Sequence, residues 1–98
     1  MTLEVRLRRE AEEDLEDAAS WYESQQAGLG QQFLDEVLKA LETISETPLG
    51  FSVIYRNTRR AWIRRFPFGI FYQVESDDVV VIAIIHGSRH PRRWQGRA

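Results

Sequence analysis

A helical hairpin laid on one face of a small, mostly antiparallel sheet, an α+β fold, is what this sequence predicts. Three observations lead to it. The hydrophobic period is close to two at the start, helical from about residue 10 to residue 46, and strand-like again from residue 52 to residue 85. The breaks fall on runs that carry glycine or proline, Gly28-Leu29-Gly30 and Thr47-Pro48-Leu49-Gly50. A length of 98 residues leaves room for one core, so a single domain over residues 1–98 is expected.

Leu3-Glu4-Val5-Arg6-Leu7 alternates strictly and reads as a short, half-exposed strand. Ala11, Leu15, Ala18, Ala19 and Tyr22 then recur at helical spacing, with Trp21 beside them, and an amphipathic helix is expected from about Glu10 to Ser24. Glu10, Glu12, Glu13, Asp14, Glu16 and Asp17 crowd its first turns. Carboxylates are favoured at the positive end of the helix dipole, so the set reads as a solvated face rather than as acid–base or metal-binding pairs. A second helix is expected from about Leu29 to Glu46. Phe33, Val37, Ala40, Leu41 and Ile44 form one stripe, broadened by Leu34 and Leu38, and Pro48 stops it. The short link makes the two helices an antiparallel hairpin.

Beyond residue 50 the pattern is that of strands. Ser52-Val53-Ile54-Tyr55 is short. Arg60 to Phe66 follows, with Arg60, Trp62, Arg64 and Phe66 on one face and Ala61, Ile63 and Arg65 on the other. Gly69 to Glu75 is a third strand, and Ser76-Asp77-Asp78 a polar turn. Val79 to Ile85 is an unbroken apolar run, which marks a central strand covered on both faces. The tail from His86 to Arg97 reads as basic and irregular. Leu15, Tyr22, Phe33, Val37, Leu41, Ile70, Tyr72, Val81 and Ile85 are expected to be buried where the helices meet the sheet.

Composition removes several classes of function. Hydrophobic residues make up 43% of the chain and charged residues 29%, the balance of a folded protein rather than a disordered tail. The absence of cysteine excludes disulfide scaffolds, thiolate zinc sites and cysteine nucleophiles, and suits the cytoplasm. No apolar run reaches the roughly 18–20 residues of a membrane span. The start lacks the basic-then-apolar order of a signal peptide, so a soluble, unprocessed protein is expected. Phosphate loops, nucleophile elbows and EF-hand loops are missing. His86 and His90 supply only two nitrogen ligands where zinc needs three or four, so neither metal nor cofactor is expected.

Charge is divided along the chain. Residues 1–50 hold four Lys or Arg against twelve Asp or Glu, a net charge of −8. Residues 51–98 hold nine Arg, no Lys and three Asp or Glu, a net charge of +6. Guanidinium is planar and bidentate, so Arg56, Arg59, Arg60, Arg64, Arg65, Arg89, Arg92, Arg93 and Arg97 suit phosphate or carboxylate better than lysines would. Arginine interleaved with Trp62 and Trp94 is the chemistry that grips nucleic acid or an acidic protein segment. Arg60, Trp62, Arg64, Arg89, Arg92, Arg93 and Trp94 are therefore the expected contacts to a partner or target. Arg89 and Trp94 are placed near the centre of that contact.

The order of these segments resembles the RelE/ParE toxin superfamily over essentially the whole chain. The resemblance rests on Arg60-Ala61-Trp62-Ile63-Arg64-Arg65-Phe66-Pro67-Phe68-Gly69-Ile70-Phe71-Tyr72-Gln73-Val74, on Val79 through His86-Gly87-Ser88-Arg89, and on Trp21-Tyr22-Glu23 with Gly28-Leu29-Gly30 and Phe33. It implies the toxin half of a type II toxin–antitoxin pair, silenced by an antitoxin that wraps an extended segment over it. Two outputs are known in such families. ParE-like members inhibit DNA gyrase without a recognised catalytic site, whereas RelE-like members cleave mRNA on the ribosome. The nuclease type uses basic residues on the sheet and an arginine after the last strand, often with a tyrosine or histidine near the end. Here Arg65, Arg89 and His90 would fill those roles. Gly69, however, stands where the nuclease pattern has an arginine, and the tail has no tyrosine. The expectation is thus a ParE-like inhibitor of gyrase. A RelE-like nuclease acting on ribosome-bound mRNA is the alternative, and a non-toxic member that only binds its antitoxin is a third.

Overall fold

The structure is a computed structural model and describes residues 2–98. Strand β1 (Glu4–Leu7) leads into helices α1 (Arg9–Gln25) and α2 (Leu29–Glu46). Strands β2 (Val53–Tyr55), β3 (Thr58–Trp62), β4 (Phe68–Glu75) and β5 (Asp78–His86) follow, and then a single helical turn, α3 (Arg92–Gln95). The strands form one sheet in the order β1-β5-β4-β3-β2, with β1 parallel to β5 and the other pairs antiparallel. This is the α+β hairpin-on-sheet architecture that the hydrophobic pattern predicts. No helix among the described residues is long and apolar enough to cross a membrane.

The helical hairpin is closed by Glu23 and two glycines. Gly28, at the N-terminal cap of α2, has a left-handed φ of 87° and no side chain with which to cap. Glu23 of α1 supplies the acceptor instead. Its carboxylate takes the N–H of Gly28 at 2.9 Å and that of Gly30 at 3.0 Å, which places negative charge on the positive end of α2. At Gly30 a Cβ would lie 2.7 Å from the carbonyl oxygen of Ala19. The two helices approach more closely there than any side chain would permit.

The face of the sheet beneath the helices collects Phe33, Val37 and Ile44 of α2 with Ile70, Tyr72, Val79, Val81 and Ile84 of the sheet. Leu15, Tyr22 and Leu41, expected to be buried, are only half-buried against this layer. Leu38 departs from its stripe and is 56% exposed. The opposite face carries Phe71, Val80, Ile82, Ala83 and Ile85, covered by Trp94 of α3.

Ile85 therefore lies on the face opposite to the one expected. The reason is a bulge. Phe71 pairs with Ala83 but Tyr72 pairs with Val81, which leaves Ile82 as an extra residue in β5. One extra residue reverses the alternation, so Ile84 takes the helix side and Ile85 the far side. An unbroken apolar run hides such a reversal, because either parity reads the same.

The strand expected over Arg60 to Phe66 is also displaced. β3 spans Thr58–Trp62, and residues 63–67 form a loop whose Arg65 has a left-handed φ of 71°. Pro67 has no N–H to give to a ladder and restricts the residue before it. Phe66 consequently swings to the helix side, within 4.8 Å of the Tyr22 ring and 5.3 Å of the Phe33 ring, away from Arg60 and Trp62.

Two polar contacts fix the link between α2 and β2. Arg59 donates to the carbonyl of Phe51 at 2.5 Å, and the fully buried Tyr72 donates its hydroxyl to the carbonyl of Pro48 at 2.7 Å. Burial pushes the pKa of Tyr72 up to about 12, with the charge of Arg59 acting in the other direction. The folded state thus holds the phenolic proton more tightly than the unfolded chain does. The stability that Tyr72 contributes is complete below about pH 10 and is lost as the pH rises from there through about 12. Tyr72→Phe is expected to abolish that alkaline loss and to cost about 1 kcal/mol at neutral pH, read by denaturant melts at the two extremes.

Candidate functional site

Arg60 and Trp62 leave β3 on the face away from the helices, opposite Phe71 and Gly69 of β4. The guanidinium of Arg60 lies over the Trp62 ring, 4.6 Å from its centroid. Gly69 permits this: a Cβ there would stand 3.3 Å from both Cγ and Cδ of Arg60. The stem of Arg60 crosses the space that a side chain at position 69 would need. Trp62, 51% exposed, rests in turn on Gly87, where a Cβ would meet its ring carbons at 3.1 and 3.2 Å. The end of β3 and the turn after β5 are thereby one surface.

That turn carries Arg89, followed by Arg92 and Arg93 in α3. All three side chains are exposed, as is that of Arg64 in the loop after β3. Arg89 and Arg93 also line a groove of about 800 Å³ between α1 and the last residues of β5, whose aromatic walls are Trp21, Tyr22 and Phe68 and which Asp14 and Asp17 border on the α1 side. Trp21 is 58% exposed beside it. Among the described residues the ion pairs are Arg6–Asp78, Lys39–Glu36 and Arg97–Asp14. Among the described residues Arg60, Arg64, Arg89, Arg92 and Arg93 have neither an ion pair nor a side-chain hydrogen bond. The result is a rim of unneutralised guanidinium groups, which attracts anionic surfaces and steers their approach.

Both histidines are committed to the backbone. His86 Nδ1 accepts the N–H of Ser88 at 3.0 Å, and His90 Nδ1 accepts the N–H of Arg92 at 3.1 Å. A neutral imidazole has one acceptor nitrogen and one donor nitrogen. A donor at Nδ1 favours the tautomer that carries its proton on Nε2, and at His86 the Ser88 hydroxyl lies beside Nδ1 as well, at 2.8 Å.

The family profile described as "ParE toxin of type II toxin-antitoxin system, parDE" matches residues 5–91. The chain belongs to this ParE toxin family. No curated protein matches it. A solved structure described as "Chromosomal ParDE TA system from P. aeruginosa" is 14% identical to it, with 87% of this chain and 96% of that one covered and a TM-score of 0.71. At that identity the likeness is one of fold, and the fold is the ParE-like one expected.

Within this ParE-family domain the expected site residues separate into three groups. Arg60, Trp62 and Arg64 lie at the end of β3, and Arg89, Arg92 and Arg93 follow β5; Trp62 against Gly87 joins the two sets. Arg65 belongs elsewhere. Its guanidinium donates to Oε1 of Gln32 on α2 at 2.8 Å, and no hydrogen bond or shared groove among the described residues joins it to Arg89 or His90. Trp94 is not a surface contact. It is 7% exposed, stacked on Phe71 with ring centroids 4.6 Å apart and edge-on to Tyr55 at 5.6 Å. A tryptophan among arginines reads as an interface anchor in sequence, and only the meeting of α3 with β4 shows it to be part of the protein's own apolar layer.

Asp14 departs from its group as well. Glu10, Glu12, Glu13, Glu16 and Asp17 are exposed as expected, but Asp14 turns inward to Arg97 and to the backbone of Ile84. Neither Asp14 nor Arg97 stands out in the sequence from its like-charged neighbours. Residues 92–98 also lie beyond the segment matched by the ParE profile, so their arrangement is a property read from this structure alone.

Proposed function

We propose that this toxin acts by binding a protein target, DNA gyrase, through the arginine rim, and that a cognate antitoxin neutralises it by covering the rim and the adjoining groove. The observation that carries the reading is the rim of unneutralised arginines, beside which both histidines already hold a backbone N–H through Nδ1. The rim can hold an anionic surface, but RNA cleavage by the 2′-hydroxyl also needs a group to take its proton. The aromatic groove walls beside Arg89 and Arg93 suit an antitoxin segment that is amphipathic and acidic, ordered as it binds.

Controlled expression of the chain without its antitoxin is expected to arrest growth with a DNA damage response while translation continues. Co-expression of the antitoxin should restore growth, and the two proteins should co-purify. His90→Gln is expected to leave the arrest nearly intact, since a contact at the rim is all that it removes. Loss of a general base would instead lower activity by about 10²–10⁴-fold. Cleavage of mRNA that requires ribosomes and disappears in His90→Gln would replace this reading with the nuclease one.

A further inference from the structure

Arg97 is the tail arginine that turns inward. Its Nη1 donates to Oδ2 of Asp14 at 2.6 Å and to the carbonyl of Ile82 at 3.0 Å, while Nη2 reaches Oδ1 of Asp14 at 3.3 Å. Oδ2 of Asp14 also accepts the N–H of Ile84 at 3.0 Å. Arg8, at the junction of β1 and α1, donates to the carbonyl of Arg97 at 2.8 Å. The two paired side chains are only 20% and 15% exposed, unlike the Arg6–Asp78 pair at 55% and 37%.

The place of this cluster in the sheet explains its partners. β1 covers β5 only from Asp78 to Val81, and the last bond along that edge runs from the N–H of Arg8 to the carbonyl of Val81. Beyond it the bulge at Ile82 leaves a carbonyl and then the Ile84 N–H without a neighbouring strand. Backbone groups in such a position need other partners. Arg97 takes the carbonyl and Asp14 takes the N–H.

α3 is a single turn, and a helix that short has no stability of its own. Trp94 on the far face of the sheet and Arg97 at its edge hold it to the body, and Arg8 adds a bond to the carbonyl of Arg97. The second anchor fixes its rotation, and with it the direction of Arg89 and Arg93.

We propose that Asp14 and Arg97 are positioning residues, whose ion pair holds the turn of α3 so that Arg89 and Arg93 face the groove; this rests on the rim-binding reading above. Asp14 borders the groove, whereas Arg97 lies outside its lining. Their pair orders the rim arginines, so that binding does not have to order them.

Two variants remove the pair while leaving every rim arginine in place: Asp14→Asn, which still accepts the Ile84 N–H, and Arg97→Gln. Limited trypsin digestion of the purified chain, with fragments identified by mass, reads the order of the tail directly. Cleavage after Arg89, Arg92 and Arg93 is expected to accelerate by about tenfold or more in both variants, the ratio that follows from losing a charge-assisted hydrogen bond in a locally opening segment. Cleavage elsewhere should be unchanged. Arg97→Lys keeps the charge but not the planar fork, and should fall between the variants and the wild type.

Growth arrest is measured on the same variants, with Ile44→Val as a control for a small loss of stability far from the tail. Arrest should weaken in Asp14→Asn and Arg97→Gln and persist in Ile44→Val. Unchanged tail cleavage in Asp14→Asn would overturn the latch. A loosened tail with full arrest would overturn its positioning role. A wild-type chain that arrests nothing would overturn the rim-binding reading on which that role depends, while the digestion would still decide whether the latch exists.

Discussion

Phe33→Ala is expected to cost about 3–5 kcal/mol, a large part of the roughly 5–15 kcal/mol that holds a domain of this kind together. Phe33 is fully buried, and its ring centroid lies 5.2 Å from that of Tyr22, 5.3 Å from Phe66 and 5.1 Å from Phe68. It thus touches α1, the loop after β3 and the start of β4 at once. Truncation removes apolar burial and the aromatic contacts together, and leaves a cavity whose walls belong to three separate elements. The closed hairpin prevents easy collapse, because Gly30 already brings the two helices into contact at the Ala19 carbonyl. Chemical denaturation should show a lower midpoint with an unchanged slope. A loss under about 1 kcal/mol would mean that the aromatic cluster is not a packed core.

The second large effect tests the proposed inhibition of gyrase rather than stability. The double variant Arg89→Ala with Arg93→Ala is expected to lose most inhibitory activity at an unchanged melting temperature. Among the described residues neither side chain has an ion-pair partner, so the fold is expected to lose little when they are shortened. Interface arginines that act as hot spots contribute about 2 kcal/mol or more each, so a loss of about 10²–10³-fold is expected from the pair. Relief of growth arrest and of gyrase inhibition by the purified protein measures it. Full activity in the double variant would move the target contact away from the turn after β5. Deleting residues 89–98 is a poorer test, since it also strips Trp94 from Phe71 and Arg97 from Asp14. A truncated chain loses its activity and part of its core together.

The contrast between Arg93 and Trp94 shows where sequence reasoning reaches its limit. Both are large side chains in a basic tail, and both fit a partner surface. One is exposed and the other is stacked on β4, because the tail folds back across the far face of the sheet. That return is set by contacts with residues more than ten positions away, and no local period records it. The Asp14–Arg97 pair spans 83 positions and is invisible for the same reason.

Local chemistry was enough for the two long helices, for β1, β2, β4 and β5 and for their order, but it set β3 too late and read the tail that forms α3 as irregular. Side-chain period distinguishes helix from strand, Pro48 ends α2, and Gly28 and Gly30 mark the hairpin, because each acts within one turn of the chain. The arginine excess after residue 50 was equally plain, since charge is counted without knowing where it lies. The tertiary structure decided parity and pairing. One extra residue in β5 moved Ile85 to the far face, and Pro67 with the left-handed Arg65 turned Phe66 toward the helices. The end of β1 at Leu7 left backbone groups of β5 for Asp14 and Arg97 to satisfy. Each of these outcomes depends on which group across the sheet is left without a partner, and that is settled only when the strands have met.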